Sequence, residues 1–162
     1  MSEEKLKKVC IICSKGSLEN VYAALILANG ARMEGIEAEL FFTFFGLDAI
    51  TKKKMDKLHT ATVGNPSLTM PGGIPFPTLL GILPGIEAMV SYMMKKEMEK
   101  LDIPKVSEFL EIIKASGGKI FACKLAMEMF KLKKEDLFDD LDGVLTVGEF
   151  YQRAAGAQII FI

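Results

Sequence analysis

The sequence predicts an α/β fold, a parallel sheet covered by helices on both faces. Three observations carry this. Short apolar runs alternate with segments of helical periodicity along the whole chain, as in parallel strands joined by crossover helices. The first run, Val9-Cys10-Ile11-Ile12-Cys13, has no polar interruption, as befits a strand buried on both faces. The length, 162 residues, suits one domain that buries roughly 70% of its unfolded surface without disulfide or metal staples.

Residues 9–13 form the first strand, and the turn cluster Ser14-Lys15-Gly16-Ser17 follows. Ser17 is the expected N-cap of a helix. Its apolar positions Leu18, Val21, Tyr22, Leu25 and Ala28 recur at helical spacing, and it ends near Glu34 with Gly35 as its stop. The Phe-rich residues 37–45 form the second strand, closed by Gly46, and 47–54 a short helix ending in three lysines. Helical periodicity returns over 85–100, with Ile86, Met89, Val90, Met93 and Met94 to one side. Pro104 opens the next helix, with Val106, Phe109, Leu110 and Ile113 inward and Gly117-Gly118 at its end. Residues 119–122 form the third strand, and 124–130 and 134–141 two short helices. A strand over 143–147, a helix over 148–156 and a strand over 158–162 complete the chain. No internal repeat recurs at a fixed period.

A long insertion separates the second and third strands. Mean hydropathy is high, +0.28. Residues 60–86 are 27 positions without a charge, long enough to cross a bilayer. The same stretch holds five of the six prolines and five glycines. A helix so interrupted leaves backbone groups unpaired in lipid. The expectation is a loop, buried or covered by a partner, and loops of this length carry function or contacts. Met89, Met93, Met94 and Met98 put adaptable side chains on one helix, for the core or for a subunit interface.

Lys and Arg number 20 and Asp and Glu 21. That balance argues against nucleic acid as a partner, since phosphate neutralisation needs an excess of base. Three cysteines, an odd number, argue against a secreted disulfide framework. The N-terminal MSEEKLKK leads into only five apolar residues, too few for a signal peptide, so the expected location is the cytoplasm.

In open α/β sheets, ligands gather at the carboxyl ends of the strands. Cys13 ends the first strand and Cys123 follows the third. Cys123 also opens a helix. The positive end of the helix dipole, free backbone N–H groups and the charge of Lys124 all favour the thiolate, the nucleophilic form. The competing reading is a small buried hydrophobe. Cys10 and Cys13 have C-x-x-C spacing, but on a strand they point to opposite faces with Cα atoms roughly 10 Å apart. A disulfide needs about 7 Å or less. With one histidine and no second C-x-x-C, no zinc site or other metal is expected. Cys13 is a resolving thiol only if its strand neighbours that of Cys123.

The loop Ser14-Lys15-Gly16-Ser17 lacks G-x-x-x-x-G-K-[ST], and no G-x-G-x-x-G follows the strand, so no nucleotide is expected. Its amides and the helix N-terminus suit a small anion or the sulfur group of a substrate. Ser14, Lys15, Gly16 and Ser17, with Lys124, are therefore the candidate substrate-binding residues. His59, the sole histidine, reads as a surface residue, since no local signature supports a Cys–His pair. Lys52, Lys53, Lys54 and Lys57 read as a solvated face, with the acidic run over 135–142 as counterweight.

Four segments resemble the DsrE/DsrF/DsrH-like sulfur-relay proteins, in particular their stand-alone, "peroxiredoxin-like" branch. They are Ser14-Lys15-Gly16-Ser17-Leu18-Glu19, Ala28-Asn29-Gly30-Ala31, Phe41-Phe42-Thr43-Phe44-Phe45-Gly46-Leu47 and Phe121-Ala122-Cys123-Lys124-Leu125-Ala126-Met127-Glu128. Lys133-Lys134-Glu135-Asp136-Leu137 and the terminal Ile159-Ile160-Phe161-Ile162 are similar too. The resemblance implies a flavodoxin-like three-layer α/β/α domain of about five strands over 1–162, with a variable apolar insertion at about 60–105. It implies a homo-oligomer, trimeric or larger, without flavin, nucleotide or other cofactor. It also implies that Cys123 carries a persulfide and passes it on by thiol exchange, with small TusA-like sulfur carriers as partners. Glu19 stands where members of the branch often have Asp. Some relatives carry a membrane-spanning insertion, which the prolines and glycines here oppose, so peripheral membrane contact stays open. No peroxide-reducing signature accompanies the "peroxiredoxin" label.

The leading expectation is thus a sulfur carrier or sulfurtransferase acting through Cys123. The alternatives are a non-catalytic interaction protein that docks through its apolar insertion and Met-rich helix, and a thiol–disulfide oxidoreductase that pairs Cys13 with Cys123.

Overall fold

In the computed structural model, residues 5–65, 67–70 and 72–162 are described. The elements in chain order are β1 (Lys8–Cys13), α1 (Leu18–Met33), β2 (Glu37–Phe42), β3 (Thr69–Met70), β4 (Ile74–Pro75), α2 (Ile86–Lys100), α3 (Val106–Ala115), β5 (Lys119–Cys123), α4 (Lys124–Met129), β6 (Gly143–Leu145), α5 (Val147–Arg153) and β7 (Gln158–Phe161). Five strands form one parallel sheet in the order β6-β5-β2-β1-β7, and β3 and β4 form a separate small hairpin.

Helices sandwich this sheet. Cys10 pairs in register with Glu39, Glu39 is bound by Arg153 of α5, and Phe41 stacks on Phe150 at 4.7 Å. Those side chains share one face with α5. By the right-handed crossover rule, α1 and α3, which pack against each other, cover the other face. The three-layer α/β/α class and the five parallel strands are as expected. The strand order differs from flavodoxin's. Counted within the sheet it runs 4-3-2-1-5, where the flavodoxin order is 2-1-3-4-5.

The first and third crossover helices follow their periodicity. Val106, Phe109, Leu110 and Ile113 of α3 are buried as expected, as are Leu18, Val21, Leu25 and Ala28 of α1. Other boundaries move for identifiable reasons. β2 stops at Phe42 rather than at 45, because Phe44 takes a left-handed φ of 46° and the chain enters a 3-10 turn over Phe44–Ile50. Gly46 is pressed onto β1 there: a Cβ on it would lie 2.1 Å from the Cys13 carbonyl oxygen. That turn, and not a helix over 47–54, leads to Thr51, which bridges antiparallel to Leu137. The bridge leaves only Lys134–Asp136 helical in the acidic segment. β6 ends at Leu145 because Thr146 caps α5: its Oγ1 accepts from the Glu149 N–H, and its own N–H donates to Glu149 Oε2 at 2.7 Å.

The insertion is also corrected. Ser91 Oγ accepts from the Thr60 N–H at 2.8 Å, which turns Ser91 inward with Met94 and Met98 beside it. Met89 and Met93 consequently face solvent. The loop itself is not buried by the chain. Thr60 and Thr62 are, but Val63, Ile74, Leu79 and Ile82 are exposed, Leu79 to 78%. Pro66 and Pro71 lie outside the described residues. Among the described residues no helix is long and apolar enough to cross a membrane.

Candidate functional site at the carboxyl edge of the sheet

Cys123 ends β5 and is the N-cap of α4, with no side-chain cap on the first turn. It is 6% exposed, yet it lines a cavity of about 230 Å³ with Lys124, Leu125, Glu128, Thr146 and Val147. The β5–α4 junction supplies most of the wall and the capped start of α5 the rest. Thr146 and Val147 escaped the sequence reading, although the T-x-x-E pattern at 146–149 is a legible cap signal.

The other two thiols are placed differently. Cys13 is fully buried, and its Sγ donates to the Lys15 carbonyl at 3.5 Å. Burial pushes its pKa up to about 12, against a smaller lowering by that hydrogen bond. Burial, then the Glu39 charge, also raises the Cys10 thiol. Both are therefore thiols, the poorer nucleophilic form, at neutral pH. Nor does Cys13 reach Cys123. β2 lies between their strands, about 10 Å of lateral separation. Cys13 aligns with Phe42 and Phe42 with Ala122, so Cys123, one residue on, points to the opposite face.

A larger cavity of about 640 Å³ opens beside the β1–α1 loop. Lys15, Gly16 and Ser17 line it, with Phe45 and Lys53 among the other walls. Ser14 is not part of it. Its N–H and Oγ both donate to the Ile162 carbonyl, at 2.8 and 2.9 Å, and tie the end of the sheet together. Lys124 belongs to the Cys123 cavity instead, so the structure divides the candidate binding residues between two places. Phe45, 64% exposed, packs against Phe130 at the end of α4 with ring centroids 5.5 Å apart. His59 lies at the surface as expected, its Nδ1 2.9 Å from Glu87 Oε1. Of the lysine cluster, Lys52 meets the acidic run at Asp139, whereas Lys54 pairs with Asp48. Among the described residues no group of three or more His, Cys, Asp or Glu side chains is placed to hold a metal.

These features define a three-layer α/β/α domain with a thiol at the carboxyl edge of its sheet. Residues 5–162 match the DsrE/DsrF/DrsH-like family, and the chain belongs to it. It is 36% identical over 138 residues to Sulfur carrier protein DsrE2 of Allochromatium vinosum, covering 84% of this chain and 86% of that one. It is 27% identical over 140 residues to the uncharacterized protein YrkE of Bacillus subtilis, covering 86% of each. Two solved structures share the fold, each with a TM-score of 0.57. One is MTH1491, of unknown function, from Methanobacterium thermoautotrophicum, with 12% identity, covering 96% of this chain and 99% of that one. The other is the ychN protein of E. coli, with 14% identity, covering 98% of this chain and all of that one.

Proposed function

We propose that this protein is a sulfur carrier that holds a persulfide on Cys123 and yields it to a partner thiol. The observation that carries the reading is the position of Cys123. It lines a cavity at a strand end that opens a helix, whereas Cys10 and Cys13 are buried in the core with their thiols raised. The relative named as a sulfur carrier supports it. In the forward step the Cys123 thiolate attacks the outer sulfur of a donor persulfide. The donor S–S bond breaks, the donor leaves as a thiolate, and Cys123 becomes Cys–S–S⁻ or its protonated form. An acceptor thiolate then attacks that outer sulfur and Cys123 leaves as a thiolate, with no net oxidation. The thiolate is both nucleophile and leaving group in these steps, and Lys124 lines the same cavity.

The resemblance supplies the finer terms, a TusA-like carrier protein as acceptor and a homo-oligomer, and the cysteine usage suits action in the cytoplasm. The test is mass spectrometry after polysulfide treatment. The native protein gains sulfur on the Cys123 peptide and Cys123→Ser gains none; equal loading of the two overturns the assignment.

A second reading, a non-catalytic docking protein that meets a partner or a membrane surface through the insertion, draws on the exposed Leu79, Ile82 and Met89. A Cys123 that resists alkylation in the folded protein favours this reading, whereas the carrier reading requires that it react.

A further inference from the structure

We propose a second ligand site on this edge: the cavity between the β1–α1 loop and residues 53–61 binds a tetrahedral oxoanion. The proposal goes beyond the sulfur-carrier reading and does not use the thiol.

The charge on the cavity walls is unbalanced. Lys15, Lys53 and Lys57 converge on the cavity of about 640 Å³ from two separate segments. Among the described residues none of the three has a carboxylate partner, although Lys54 is paired with Asp48 and His59 with Glu87 on the same walls. All three are exposed, and like charges gathered in one concavity repel one another until an anion joins them. The concavity also has a fixed shape. A Cβ on Gly16 would lie 2.5 Å from the Phe45 carbonyl oxygen, so the β1–α1 loop is in backbone contact with the turn after β2 that carries Phe45. The 16-residue α1 opens beside it without a side-chain cap: Ser17 Oγ accepts from Asn20 Nδ2 at 2.6 Å, and the first helical N–H, of Leu18, donates to the His59 carbonyl at 2.9 Å, which joins the helix start to residues 53–61. Its dipole adds to the field of the three lysines.

The remaining walls refine the ligand. Phe45, Leu58 and Ala61 are apolar, and the volume exceeds that of an inorganic ion. The geometry points to a phosphoryl or sulfonyl group, free or carried on a small organic body that lies against Phe45.

Calorimetric titration at low ionic strength with inorganic phosphate, inorganic sulfate and phenyl phosphate tests this. The native protein binds at one saturable site, and the doubly substituted Lys53→Gln/Lys57→Gln protein binds at least about tenfold more weakly, as expected for lost charge-assisted contacts. Lys53→Arg/Lys57→Arg retains binding. Cys123→Ser binds as the native protein does, which separates this site from the carrier reading. Comparable affinity for all three probes identifies a free oxoanion, and tighter binding of phenyl phosphate identifies a carried group; either supports the site. In amide NMR spectra the Gly16, Ser17 and Lys53 resonances move on saturation. The proposal is overturned if no probe saturates, if Lys53→Gln/Lys57→Gln binds undiminished, or if the moving resonances lie elsewhere.

Discussion

Cys10, Cys13 and Cys123 are chemically one side chain in three settings. Cys10 and Cys13 are enclosed by the two layers of the core, and burial raises both thiols. Cys123 meets a cavity. Iodoacetamide at neutral pH should therefore label Cys123 first and leave Cys13 unmodified until the protein unfolds, as peptide mapping reads out. Labelling of Cys13 in the folded state would contradict the burial that removes it from the mechanism. Gly46 makes a second prediction at this scale. Its missing Cβ lets the turn after β2 touch the Cys13 carbonyl. Gly46→Ala should cost about 1–3 kcal/mol by overpacking, seen as a lower urea midpoint, and an unchanged midpoint would mean that the two loops part easily.

Between elements, a polar tie is buried inside an apolar layer. Glu39 of β2 accepts from Arg153 of α5 at 2.9 and 2.7 Å, and Lys8 of β1 lies 3.0 Å away. Burial alone would push the Glu39 carboxyl up, but hydrogen bonds from Arg153 and Lys8, with their charges, outweigh it and hold the carboxyl below its ordinary value. A carboxyl lowered on folding contributes stability above its unfolded pKa, about 4.3. That contribution is lost as pH falls through the folded value. Urea unfolding should show Glu39→Gln less stable at neutral pH, with the two proteins converging below about pH 4; parallel curves would show the tie to be inert. The contrast between elements also explains what was legible in the sequence. α3 is amphipathic in the ordinary sense, so its period marks its face; in α1 the buried Leu18, Val21, Leu25 and Ala28 also fall on the helical period, although Ile26, Leu27 and Met33 lie exposed on its other side. The end of β2 depends on Gly46 meeting a carbonyl more than thirty positions earlier, and the rotation of α2 on Ser91 meeting Thr60. Local pattern contains neither contact. The site follows the same division. Cys123 at a strand end was readable, but the separation of Cys13 from it required the strand order.

Over the whole molecule, order is unevenly distributed. The sheet and its helices share one core, while residues 63–83 place many apolar side chains in solvent. Among its described residues, the Phe76 N–H donates to the Leu68 carbonyl and the Leu80 N–H to the Pro77 carbonyl, while Val63, Ile74, Leu79 and Ile82 stay exposed. Its amides should exchange with deuterium well before those of α1, and equal protection in the free protein would require a cover the chain itself does not supply. The strand order has a further consequence. β1 pairs with β2, which is made soon after it, but its other edge waits for β7. During translation the sheet can grow from β1 toward β6 while one flank of β1 stays bare, and only once β7 has emerged can that flank close. A nascent chain stalled before that point presents an open template to other strands, which makes the interval before β7 pairs with β1 the period of greatest exposure to misassembly.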